Sequence, residues 1–598
     1  MNLTTPEKCD AAERLIEKGR FEDAEFLLDQ VLESHPSEMR ALVSKAGLHM
    51  KAGRLPDAKR CLQGAYDKNP GVPLVLSNMA SLALLESRVP DAITHLLEAN
   101  ALQPDFFPAV LLLAQIHQQA GDMRQASKWL AEASRLKPGN TDVLVASAAF
   151  ELSRERISEA TALYDKALAI DPDHVPALSG LAQLRALAGD YEAAGELAKR
   201  AHLLAPTDPD TAVILARTYQ KAGALADAQK LIERFRNRYA DYAPVVLQAA
   251  EILIARGQVA EALSVCAAWL RKSPADAVRI VGFLKVLKKA GAWKQIDQMC
   301  GTLPEDVSAR DLVRSLREEA LHALGRSEEA WASWAARREL APGRPETPLH
   351  VTLPGRTPLL DELVLMRFAN AWANVGPIKR SGPSLIDGLW KKLTASSGID
   401  VVSEDPQLGL NGRGELLADL AARTCLNAHD MACFKPYLAA EPARENEWRQ
   451  ALPQDERPLV GVFWEGTAPG LQIDHLMKVF AGKPYVPVSL QFDEARHQLR
   501  MWPEAIDAGV ALAGLEDIVN VVNCLDLVVG PDGIPLHIAG ALGRKGVAVL
   551  PENHEWYWAG TGAESLWYPS VKRIVRPIDP TWKDAICALS SEIDMHLS

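Results

Sequence analysis

Residues 19–36 read GRFEDAEFLLDQVLESHP, and residues 53–70 read GRLPDAKRCLQGAYDKNP. The two stretches begin 34 residues apart and share a glycine, an alanine five places on and a closing proline. The same step runs down the chain without slipping. Glycine stands at 19, 53, 121, 189, 223, 257, 291 and 325, with Ser87 and Glu155 at the other two steps. Ala24, Ala58, Ala92, Ala126, Ala160, Ala194, Ala228, Ala262 and Ala330 follow, Ile296 being the exception. Pro36, Pro70, Pro104, Pro138, Pro172, Pro206, Pro274 and Pro342 close most of the units.

Residue type explains the spacing. A glycine after a helix takes the left-handed conformation that ends it, as in Lys18-Gly19-Arg20. A small alanine lets a second helix approach closely, and proline stops that helix because it lacks an N–H and restrains the residue before it. Alanines at 12, 46, 80, 114, 148, 182, 216 and 250 give each first helix a matching small residue at the crossing. The pattern predicts about ten helix-turn-helix units over residues 1–342, and it resembles the tetratricopeptide repeat (TPR). Stacked units of this kind form a superhelix with an extended concave surface, expected here to bind a protein segment.

Composition narrows the function classes. A net charge of −12 with no block of Lys or Arg excludes a partner gripped through its phosphate backbone, so no nucleic acid is expected. No segment approaches the roughly 20 apolar residues of a membrane span, and the polar stretch from Met1 to Leu15 carries no leader pattern, so a cytoplasmic protein is expected. The eight cysteines are scattered without metal-type spacing. The triplets Asp171-Pro172-Asp173 and Asp208-Pro209-Asp210 match a DxD pattern that can hold a divalent ion, but they fall between repeat units and read as turns. No metal site is expected.

Five prolines between Ala341 and Pro358 mark residues 343–358 as a linker. Residues 359–598 then read as an α/β domain, with a first lobe over 359–455 and a second over 456–598. In the second lobe, short apolar runs alternate with helical segments and predict strands at Leu459–Trp464, Tyr485–Leu490, Val510–Ala513, Leu525–Gly530 and Val547–Leu550. That order suggests a parallel, Rossmann-like sheet. The first lobe offers Leu363–Phe368 and Ile399–Ser403 as strands among helices.

Three segments carry a family resemblance. Lys435-Pro436-Tyr437-Leu438 leads through Trp448 to Leu459-Val460-Gly461-Val462-Phe463-Trp464-Glu465-Gly466. Leu525-Asp526-Leu527-Val528-Val529-Gly530-Pro531-Asp532 runs into His537-Ile538-Ala539-Gly540-Ala541-Leu542-Gly543. Trp556-Tyr557-Trp558 precedes Ser565-Leu566-Trp567-Tyr568-Pro569. In this order they resemble bacterial TPR-linked glycosyltransferases, and most closely flagellin O-glycosyltransferases that use nonulosonic acids such as pseudaminic acid. The resemblance implies a metal-independent GT-B fold with a reduced first lobe, in an architecture like that of the O-linked N-acetylglucosamine transferases. In those enzymes asparagines line the repeat groove; here Asn78 is one of few inside a first helix, so another chemistry of capture is expected.

The implied activity is transfer of a sugar to Ser or Thr hydroxyls of flagellin held in the repeat groove. Gly530, Asp532, Gly533 and His537 would form the nucleotide-sugar turn, where helix N–H groups meet phosphate and His537 donates a hydrogen bond. Trp464, Trp556 and Trp558 join them as binding candidates. Asp532 is expected to fix the turn rather than act as a base. Glu465 is the candidate base, with His429 and Asp430 as weaker ones. Family members carry Thr where this chain has Gly533, and a basic run where it has Thr467-Ala468-Pro469-Gly470-Leu471. Lys483, Arg544, Lys545 and Lys572 are candidate substitutes, and the scarcity of cations favours a CMP-linked over a UDP-linked donor, with no other cofactor. The alternatives are a non-catalytic TPR scaffold with a degenerate transferase domain, and a UDP-sugar transferase acting on another acceptor.

Overall fold

The computed structural model describes residues 4–597 apart from 18, 87, 120–121, 155, 309, 341–348, 353–358, 374–377, 382–385, 394–398, 402–415, 427–434, 455, 465–469, 561 and 577–581. The chain divides into two compact units, Met1–Gln248 and Ala249–Ser598.

The first unit is a run of helix pairs. Thr5–Glu17 packs on Phe21–Ser34, Met39–Lys51 on Leu55–Lys68, and the spacing continues to Pro209–Lys221 with Leu225–Arg236. Gly19, Gly53, Gly189 and Gly223 have φ between +72° and +81°, the left-handed region in which an L side chain is strained. Gly121, Ser87 and Glu155 lie outside the described residues. Ala24, Ala58, Ala92, Ala126, Ala160, Ala194 and Ala228 are wholly buried, and so are their first-helix counterparts from Ala12 to Ala216. Second helices end at Ser34, Lys68, Leu102, Leu136, Ile170 and Leu204, each two residues before the repeat proline. Both DxD triplets close turns: the Asp171 carboxylate accepts from Asp173 N at 3.1 Å, and that of Asp208 from Asp210 N at 3.0 Å. Asn78 donates to Leu74 O of its own helix at 2.8 Å.

In the second unit the repeat spacing persists through Val259–Arg271 and Ala277–Lys289. Leu303-Pro304 then arrives early and splits the next helix into Trp293–Thr302 and Glu305–Ser308, since proline cannot continue a helix and disfavours helical backbone before it. Register resumes at Asp311–Ala323 and Ser327–Arg337. These last helices share a core with the α/β part: Trp331 and Ala335 pack in one buried cluster with Phe368, Leu420 and Trp567. Buried Asp419 seals the junction, accepting from Trp334 Nε1 at 2.8 Å and Arg338 Nη2 at 2.9 Å. The compact unit thus begins at Ala249, inside the repeats.

Two parallel sheets follow. The smaller has order β1-β2-β3, formed by β1 (Leu349–Thr352), β2 (Ile378–Ser381) and β3 (Ile399–Val401). Strand β1 lies inside the stretch expected to be linker. Leu363–Phe368, expected as a strand, belongs to the helix Leu359–Ala373, in which Leu363, Val364, Leu365, Met366 and Phe368 are all buried. Burial on every face erased the helical period and left an apolar run that looks like a strand.

The larger sheet has order β6-β5-β4-β7-β8-β9, all parallel: β4 (Leu459–Val462), β5 (Val486–Ser489), β6 (Ile506–Asp507), β7 (Leu527–Gly530), β8 (Gly546–Pro551) and β9 (Val571–Arg576). Alternate residues feed opposite faces, with Val460, Val462, Leu527, Val529, Val547 and Val549 in one core and Val528, Ala548, Leu550 and Val571 in the other. Cover on both sides explains the continuous apolar strands. Val510–Ala513 is not a strand; Gly509–Ala511 is a 3₁₀ turn, and the edge strand is the two-residue β6 just before it. β9 was not among the expected strands.

Candidate functional site

Successive strands run outward from β4 through β5 to β6, then return to the other side of β4 for β7, β8 and β9. The strand order therefore reverses between β4 and β7, and in such sheets ligands bind beyond the carboxyl ends of the strands at that switch. A cavity of about 680 Å³ opens there. Phe463, Leu490 and Phe492 line it from the ends of β4 and β5, while Gly533, Ile534 and Pro535 line it from the start of the helix Ile534–Leu542. Glu555 and Tyr557 form a further wall, and Lys288 and Glu319 reach it from the last repeat helices, beside Asp361.

The glycines of the β7 turn are set by Phe463. A Cβ on Gly530 would stand 2.2 Å from its ring, and one on Gly533 2.7 Å away. Gly533 is the extended N-cap and offers no capping side chain, so the positive end of the helix dipole faces the cavity.

His537 does not face the ligand space, contrary to the expectation of a direct phosphate contact. It is fully buried: Nε2 donates to Asp532 Oδ1 at 3.1 Å, and the Tyr568 hydroxyl lies 3.0 Å from Nδ1. The Asp532 carboxylate also accepts from the Tyr557 hydroxyl at 3.2 Å, so it fixes the turn and orients a cavity wall. Burial first, and the neighbouring Asp532 second, push the Tyr557 hydroxyl far above its ordinary pKa. That keeps it a hydrogen-bond donor.

The tryptophans also stand elsewhere than expected. Trp464 and Trp558 are buried in the cores flanking the sheet, and Trp556 donates its indole N–H to Asp361 Oδ1 at 3.0 Å. The aromatic faces that line the cavity are Phe463, Phe492 and Tyr557. Glu465, His429 and Asp430 lie outside the described residues.

Electrostatically the cavity is acidic, with Glu319, Asp361, Asp493 and Glu555 against Lys288 among the described lining residues. Lys288 pairs with Glu319 and stands 3.9 Å from Glu555. Burial opposes its charge, but Glu319 and then Glu555 hold its pKa above the usual lysine value. Burial raises the pKa of Asp361 against the pull of the Trp556 hydrogen bond, and raises that of Glu555 against the pull of Lys288. The four substitute cations named from sequence serve elsewhere: Lys483 pairs with Asp594, Lys572 with Glu564, Lys545 donates to His596 O and Arg544 to Asn523.

Residues 15–82, 83–148, 151–194 and 185–245 match the tetratricopeptide-repeat family. The N-terminal region is an all-α TPR superhelix. The chain is 25% identical over 239 residues to cellulose synthase operon protein C of Pseudomonas fluorescens, covering 35% of this chain and 19% of that protein. It is 27% identical over 165 residues to protein FlbA of Caulobacter vibrioides, covering 25% of this chain and 27% of that protein. The chain thus spans less than a third of either curated relative. Among solved structures it resembles PilW, a type IV pilus biogenesis factor, at 25% identity and TM-score 0.28, covering 34% of this chain and 94% of that one. It also resembles the TPR protein TTC0263 of Thermus thermophilus, at 21% identity and TM-score 0.29, covering 30% and 98%. The TPR region points to protein–protein interaction. Among the described residues no helix is long and apolar enough to cross a membrane.

Proposed function

We propose that this chain is a protein glycosyltransferase in which the TPR region captures a protein acceptor and the α/β part holds a nucleotide-activated sugar in the switch-point cavity. One observation carries the reading: the helix Ile534–Leu542 opens into that cavity with an uncapped N-terminus, at the turn whose sequence resembles the TPR-linked transferases. Within that class, the resemblance points to a metal-independent GT-B enzyme acting on flagellin Ser and Thr hydroxyls in the cytoplasm. The donor is a CMP-linked nonulosonic acid. Among the described lining residues, four carboxylates against one lysine disfavour the charge of a diphosphate more than that of a single phosphate.

The same acidic lining favours a second reading, a TPR scaffold whose transferase-like domain is inactive. A UDP-sugar transferase on another acceptor fits it least. Thermal unfolding of the full chain in CMP or UDP tests the nucleotide assignment. Saturating CMP is expected to raise the midpoint, equivalent to about 2.7 kcal/mol at one hundred times Kd. UDP at equal concentration should protect less. Protection by neither would overturn nucleotide binding, and stronger protection by UDP would overturn the CMP donor.

A further inference from the structure

We infer that Glu555 is the base that takes the proton from the acceptor hydroxyl, an assignment that rests on the glycosyltransferase reading. Of the four carboxylates that line the cavity among the described residues, three are committed. Asp493 accepts from Ala495 N at 3.0 Å and from Gln491 Nε2 at 2.7 Å, closing its own turn. Glu319 is paired with Lys288. Asp361 holds the indole N–H of Trp556. The Glu555 carboxylate makes no hydrogen bond among the described residues, and Lys288 Nζ, at 3.9 Å, is beyond hydrogen-bond reach. Its side chain keeps 46% of its surface exposed in the cavity wall, so an incoming hydroxyl can reach it.

Its position is held by the residues that follow. Trp556 is tied to Asp361, Tyr557 to Asp532, and Trp558 is wholly buried with its carbonyl accepting from Arg573. Three consecutive anchors fix the backbone beside Glu555, and a general base works only when its geometry is fixed in this way. In the reaction the acceptor oxygen forms a bond to the anomeric carbon while the carbon–oxygen bond to the nucleotide phosphate breaks. The bonding pair leaves with the phosphate, and the hydroxyl proton passes to the Glu555 carboxylate. Burial, with Glu319, Asp532 and Asp361 nearby, strengthens the proton affinity of Glu555 against the opposing pull of Lys288. That moves the carboxylate toward the range in which a base is effective near neutrality.

The test uses the full chain, co-produced with flagellin in cells that make a CMP-nonulosonic acid, with intact flagellin mass followed after induction. Glu555→Gln should slow the mass gain by about 10²- to 10⁴-fold while keeping or strengthening the thermal protection by CMP, because the cavity loses one of the carboxylate charges that oppose the phosphate. Glu555→Asp should recover part of the rate. Wild-type rate in Glu555→Gln would overturn the assignment and leave the glycosyltransferase reading standing. Loss of CMP protection together with rate would also overturn it, because Glu555 would then act in holding the site together. No mass gain with the wild-type chain overturns the transferase reading, and the base assignment with it.

Discussion

Replacing Asp532 with Asn tests the buried network behind the cavity. The carboxylate accepts on both oxygens, from His537 Nε2–H at 3.1 Å and from the Tyr557 hydroxyl at 3.2 Å, with Asp532 itself only 3% exposed. An asparagine offers one acceptor oxygen in place of two, and its NH₂ group meets a donor where the second oxygen stood. One buried donor is left without a partner, which costs about 1–3 kcal/mol. The unit Ala249–Ser598 holds 350 residues. At about 2.1 cal/mol/K per residue its unfolding entropy is roughly 0.7 kcal/mol/K, so the midpoint should fall by roughly 1.5–4 °C. Because Tyr557 forms a cavity wall, CMP protection should weaken as well. Differential scanning calorimetry with and without CMP reads both effects. A midpoint and a CMP shift equal to wild type would refute the role given to this network.

Two further outcomes follow from other parts of the structure. His322 is buried among Trp331, Trp556 and Trp567, and burial pushes its pKa down to about 3 from the model-peptide 6.5. The unfolded chain therefore binds the proton first, so this contribution to stability is complete above about pH 6.5 and is lost at about 1.4 kcal/mol per pH unit below it, toward pH 3. Denaturant midpoints at pH 7 and pH 5 should show about 2 kcal/mol of such loss in wild type and less in His322→Phe; equal losses would contradict it. In the repeats, Gly53 has φ +73° and Gly47 lies inside the helix Met39–Lys51, with open space around an added Cβ at both. Gly53→Ala should cost about 1–2 kcal/mol and Gly47→Ala should gain about 0.5–1 kcal/mol, so thermal midpoints should move in opposite directions; shifts of the same sign would be the refuting result.

The repeats were legible because each signal has a single physical cause. Gly19 and its equivalents sit at positive φ, the alanines are wholly buried where the helices cross, and the prolines stand just past helix ends. Leu363–Phe368 misled because a helix buried all round has no polar face to reveal its period. β9 did leave a signal, since buried Val571 and Arg573 alternate with the less buried Lys572 and Ile574, but its charges masked an edge strand. At the site, the turn from Gly530 to the helix was readable from strand, glycine and proline order. Its chemistry was not. Lys288, Glu319, Asp361 and Glu555 come from four separate segments that the fold brings to one cavity. His537 was singled out for the right turn but assigned the wrong direction, because nothing local to it shows that Tyr568 and Asp532 occupy both of its nitrogens.

In the function proposed above, the TPR region and the switch-point cavity together transfer a sugar to a protein. Its most direct test is the intact mass of flagellin isolated from isogenic cells with and without this chain, followed by mapping of the modified peptides. Mass increments equal to whole nonulosonic acid residues on Ser or Thr are expected, present only with the chain. Flagellin of identical mass in both strains, in cells shown to contain the CMP-activated sugar, would contradict it.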